Sequence, residues 1–131
     1  MACEENNHPK VVYDIFENHD ISACGVSDPL QNIEWLSEFC KRLKTQDILS
    51  VHIELYKVTG KGEHVFRINS SFPFESTPEQ GNVGYLLEWK DCAGNMIFYV
   101  PYPGTPPDPV MVENFMRDKE FVSELFHFIK Q

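Results

Sequence analysis

"DPVMVENFMRDKEFVSELFHFIK", residues 108–130, decides the fold class, because its reading determines what closes the domain. Asp108 followed by Pro109 is a helix-start signal: a short acceptor side chain at the N-cap, then a residue whose φ is already helical. Phe115 and Met116, then Val122, Leu125, Phe126 and Ile129, recur at helical spacing, with a break near Arg117-Asp118. One long or two short helices fit, and the reading predicts a helical C-terminal segment packed on or beside a sheet.

The same device opens "DPLQNIEWLSEFCKRL", residues 28–43. Asp28 is placed as N-cap, Pro29 as the first helical residue, and Gln31 can complete a variant capping box. Leu30, Ile33, Leu36, Cys40 and Leu43 form one apolar stripe with Phe39 beside it, and Lys41, Arg42 and Lys44 suit the negative end of the helix dipole, so the helix should end near Thr45. Trp35 lies about 100° off that stripe. It either widens the buried face, the preferred reading, or stands exposed as an aromatic anchor.

Between these segments the pattern is period two. In "ILSVHIELYKV" (48–58), Leu49, Val51, Ile53 and Leu55 alternate with Ser50, His52 and Glu54, and "EHVFRINSSF" (63–72) alternates likewise. Joined at "TGKG" with Val58 opposite Glu63, the hairpin sets Leu55 against Phe66 and Ile53 against Ile68, so both apolar rows share a face. A second hairpin, "YLLEWK" and "MIFYV", turns through Asp91-Cys92-Ala93-Gly94-Asn95, where Gly94 supplies positive φ. "MIFYV" is apolar on both faces, which leaves its register open.

"PYPGTPPDP" (101–109) reads as an extended surface connection, and "VVYDIF" (11–16) as a short strand without other support. The expected fold is therefore α+β: an amphipathic helix on an antiparallel sheet of about four strands, with a C-terminal helical segment. Residues 1–20 form a tail or tether that can include the short strand, and 21–131 form a single domain.

Composition agrees with a globular chain. It has 131 residues, 42% hydrophobic and 13% aromatic, long enough for one self-sufficient core. Eleven Lys and Arg against twenty Asp and Glu give a net charge of −9, which argues against phosphate backbones and anionic lipid as partners. No apolar run reaches bilayer-spanning length.

Four cysteines, at 3, 24, 40 and 92, show neither a CxxC pair nor zinc spacing. Cys40 falls on the apolar side of the helix and reads as a buried thiol. Cys24 and Cys92 lie in loops and could pair in an oxidising compartment. "MAC" at the start fits either an ordinary polar N-terminus or the end of a lipoprotein signal, with Cys3 the lipidated residue.

No catalytic set emerges. Of the five histidines, His52 and His64 are not opposite one another in the hairpin register, and solvent-face roles are expected for both. His19 with Cys24 lacks an orienting third group. Glu34 and Glu38 sit four apart on an outer helix face, where solvation is the default, and Asp91 is not marked as their partner. Neither cofactor nor metal is expected. Trp35, Tyr99 and Tyr102 are the candidate binding residues.

"ACGVSDPLQNIEWLSEFCKRL" (23–43) resembles the helix of a family of small Bacteroidetes lipoproteins, matching at Asp28-Pro29-Leu30 and Trp35-Leu36, with Glu34 where that family carries proline. "WKDCAGNMIFYV" (89–100) is similar to its strand-turn-strand at Asp91, Cys92, Gly94 and Asn95. The tail from Pro101 has no counterpart there. The resemblance implies a lipid anchor at Cys3, an envelope address and an oxidising surrounding for Cys24 and Cys92, and brings no activity with it. The expected function is a non-enzymatic envelope binding module with a protein or glycan partner and no nucleic acid, touching the membrane only through Cys3. The alternatives are a small acidic cytosolic inhibitor or immunity-type protein that binds a basic partner, and a hydrolase built on a carboxylate or Cys92.

Overall fold

A computed structural model describes residues 13–73 and 83–130. The elements run β1 (Tyr13–Glu17), β2 (Ser22–Ala23), β3 (Val26–Ser27), α1 (Pro29–Asn32), α2 (Glu34–Arg42), a 3-10 turn (Leu43–Thr45), β4 (Ser50–Val58), β5 (His64–Pro73), β6 (Val83–Lys90), β7 (Met96–Tyr102), α3 (Pro109–Met116) and β8 (Lys119–Lys130). The strands form a six-stranded antiparallel sheet in the order β1-β8-β4-β5-β6-β7, with β2 and β3 as a separate two-stranded ribbon.

This corrects the expected architecture. The fold is predominantly sheet with short helices, not one helix on four strands, and the difference originates in the opening stretch. Only 109–116 is helical; 119–130 is a strand between β1 and β4. The helical spacing of its apolar residues has a physical origin in two β-bulges. Ile53 pairs with Phe126 and Glu54 with Glu124, which leaves Leu125 as the extra residue; Leu55 pairs with Ser123 and Tyr56 with Phe121, which leaves Val122. Each inserted residue resets the period-two parity, so the apolar residues fall at three- and four-residue steps.

Asp108 caps α3 as expected, its carboxylate accepting from the Val110 N–H at 2.8 Å. Lys119 ends the helix: its ammonium donates to the Phe115 carbonyl at 3.0 Å and lies 4.0 Å from the centre of the Phe115 ring. From Asp118 the backbone joins β4, its carbonyl accepting from Thr59.

The helix at 28–43 is interrupted rather than continuous. Asp28 takes a left-handed conformation (φ 48°) without a side-chain cap, and Ile33 is extended (φ −99°, ψ 111°) between α1 and α2. The apolar stripe still reaches the sheet: Leu30, Ile33, Leu36 and Leu43 are buried with Val51, Ile53, Leu55, Phe66, Ile68, Leu125, Phe126 and Phe128. Each such side chain contributes about 1.5–3 kcal/mol of burial. A second core, Val58, Val65 and Trp89 with Tyr56, Phe98 and Phe115, packs α3 against the sheet.

The β4–β5 ladder has the register read from the alternation, with Leu55 opposite Phe66 and Ile53 opposite Ile68. Among the described residues, no helix is long and apolar enough to cross a membrane.

Candidate functional site

β7 is an edge strand, and its two-sided apolarity divides between structure and surface. Phe98 stands opposite Trp89 and stacks on Phe115 with centroids 4.6 Å apart, which ties α3 to the sheet. Met96, Ile97 and Tyr99 on the same strand are instead exposed. Tyr102, 58% exposed, pairs with Tyr85, their rings 5.6 Å apart. Met96, Tyr99, Pro101, Thr105, Pro107 and Met111 line an open groove of about 590 Å³. Tyr99 therefore borders this groove, Tyr102 stands three residues further along on the other face of the strand opposite Tyr85, and Trp35 belongs elsewhere.

Trp35 is half-buried, edge-on to Phe66 at 5.5 Å, and its Nε1 donates to the Cys92 carbonyl at 2.8 Å. It widens the buried face. Cys92 is joined to Cys24 by a disulfide closing a sequence separation of 68 residues. The Asp91 carboxylate accepts from the N–H groups of Ala93 and Asn95, and Gly94 turns with φ 88°. The Cys24 N–H donates to His64 Nδ1 at 3.2 Å. Together these contacts pin the β2–β3 ribbon and α2 to the β6–β7 turn.

The nucleophile candidates are accounted for. Cys92 carries no thiolate while disulfide-bonded, and burial pushes the free Cys40 thiol up to about 12. Cys40 lines a cavity of about 170 Å³ with Ile15, Leu30, Phe126 and Phe128. Glu34 and Glu38 are exposed on α2, and Asp91 is engaged by its own turn. Cys3 lies outside the described residues.

Two histidine clusters are assembled by the tertiary fold. His19 bridges two carboxylates, Nδ1 to Asp28 and Nε2 to Glu17, each at 2.8 Å, and these hydrogen bonds raise its pKa. His52 and His64 are not cross-strand partners, facing Asn69 and Lys57. His52 is instead opposite His127 of β8, ring centroids 5.8 Å apart, with Glu124 beside both. His52, Glu124 and His127 offer donor atoms within 4.8 Å of one another. A helical reading of 119–130 hides this group; the alternation of His127 with Phe126 and Phe128 was the signal that could have found it.

Comparisons with protein-family models, with curated proteins and with solved structures find no match for this chain.

Proposed function

We propose that the protein is a non-enzymatic binding module of an oxidising, envelope-facing compartment, and that it takes an extended, basic segment of a protein partner along β7. The observation that carries this reading is the set of exposed apolar side chains on an edge strand, Met96, Ile97, Tyr99 and Tyr102, which flank its free edge from both faces. An edge strand offers unpaired backbone groups for β-augmentation, and flanking apolar side chains supply specificity. Pro101 lacks an N–H, which confines the addition to the Met96–Val100 end. The net charge of −9 favours a basic ligand and faster encounter. The disulfide and the resemblance at Asp28-Pro29-Leu30 and Asp91–Asn95 support the address, with Cys3 as tether.

Peptides selected from a random displayed library provide the test. Binders should carry alternating apolar and Lys or Arg residues and lose at least tenfold in affinity against Tyr99→Ala/Tyr102→Ala, about 1.4 kcal/mol. Binders that are unaffected by those changes, or a selection that yields only glycan ligands from a parallel array, would refute it. The acidic charge also favours a second reading, a cytosolic inhibitor of a basic protein; a thiol titration showing Cys24 and Cys92 reduced in cells would select that version.

A further inference from the structure

We infer that His52, His127 and Glu124 form a binding site for one divalent first-row transition-metal ion, with Asp14 positioning His127 from behind. The site goes beyond the binding role proposed above. It draws on β1, β8 and β4, at the end of the sheet away from β7.

The bulge at Leu125 creates the site. In a regular strand, residues three apart point to opposite faces. Because Leu125 is inserted, Glu124 pairs with Glu54 and His127 with His52, and both project on the face that carries His52. Bulges that re-aim a side chain recur beside functional sites.

The donor geometry is close to a coordination sphere. Glu124 Oε2 lies 3.8 Å from His52 Nδ1 and 3.5 Å from His127 Nδ1. Ligands about 2.0–2.1 Å from a tetrahedral zinc ion stand about 3.4 Å from one another, so small rotamer changes suffice. Two imidazoles and one carboxylate suit zinc, nickel or copper(II) better than calcium or magnesium. Three protein ligands leave a position for water.

Hydrogen bonding supplies a second, independent indication. His127 Nε2 is 3.1 Å from Asp14 Oδ2, the carboxylate–histidine arrangement that orients metal-binding imidazoles. A neutral imidazole has one N–H. With that N–H donated to Asp14, the Nδ1 lone pair of His127 faces a carboxylate oxygen, and His52 Nδ1 faces the same oxygen. The His127 lone pair and the Glu124 oxygen are then unsatisfied by one another, and His52 in its Nε2–H tautomer adds a third electron-rich atom to a space that a cation fills.

Glu54 is taken by Arg67 at 3.0 Å, so Arg67 does not neutralise Glu124. His19 shows the contrasting case, with both ring nitrogens 2.8 Å from carboxylates and no lone pair left to coordinate.

Isothermal titration of the full chain with zinc chloride, repeated with cobalt(II) and read by visible absorption, tests the site. One equivalent should bind. Affinity should fall at least tenfold in His52→Ala and His127→Ala, about 10–100-fold in Asp14→Asn, and not at all in His64→Ala. Should a histidine variant lose its fold by circular dichroism, the near-isosteric Glu124→Gln carries the test. The proposal is overturned by a wild-type chain that binds no zinc or cobalt, by a His52→Ala/His127→Ala chain that binds as tightly, or by a folded Glu124→Gln chain of unchanged affinity.

Discussion

Trp35 donates its indole N–H to the carbonyl of Cys92 across 57 residues of sequence, at 2.8 Å. One bond thereby ties the second helix to the turn that holds the disulfide. Trp35→Phe keeps the ring packing on Phe66 but leaves that carbonyl without its donor, and should cost about 1–2 kcal/mol. A urea midpoint unchanged from wild type would show that the bond carries no stability.

Gly94 closes the same corner. A Cβ there would come within 2.8 Å of the Trp35 ring, on a backbone with φ of 88°. Both the contact and the conformation oppose a side chain, so Gly94→Ala should destabilise by more than about 1 kcal/mol. Equal thermal midpoints for the two proteins would contradict the packing described.

The disulfide closes a long loop, and cross-linking a loop of that size restricts the unfolded chain by about 4 kcal/mol in the chain-entropy account. Cys24→Ser/Cys92→Ser should unfold at markedly lower denaturant than the parent. In the folded parent without reductant, Cys40 should resist thiol reagents near pH 8, since burial holds its pKa at about 12. For Cys40 the folded value lies above the ordinary 9.0, so its contribution to stability is complete below that pH and is lost as pH rises from there towards about 12. Rapid labelling of Cys40 in the native state would refute its burial.

His19 gives the opposite end of the pH range a signature. Its folded pKa is raised above 6.5 by hydrogen bonds to Asp28 and Glu17. The stabilisation from this bridge is therefore fully present below 6.5 and declines as pH rises through the folded value. Stability measured across that window should fall in the wild type and fall less in His19→Ala. Parallel profiles would dissociate His19 from Asp28.

Legibility followed how local each signal was. The β4–β5 register could be read because alternation and turn length depend only on neighbouring residues. Asp108 capped α3 as its dipeptide suggests, whereas the identical Asp28-Pro29 did not, because the Asp28 carboxylate is drawn to His19 from outside the helix. The extended residue Ile33 is buried with the rest of the stripe, and the helical spacing of that stripe carries no sign of the break. β8 was masked by its own bulges, and the His52, Glu124 and His127 group was lost with it. Tyr99 and Tyr102 stand out in sequence as aromatics beside a proline-rich stretch, which leaves packing and exposure equally open; their exposure follows from β7 being an edge.

Everything proposed for the histidine cluster depends on residues 119–130 being a bulged strand between β1 and β4. Nuclear Overhauser spectroscopy on uniformly labelled protein tests this most directly. The structure predicts cross-strand backbone contacts of His52 with His127, of Ile53 with Phe126 and of Glu54 with Glu124, with Leu125 unpaired with β4 between the last two pairs. Sequential amide–amide contacts running through 119–130, with none to residues 50–58, would contradict it.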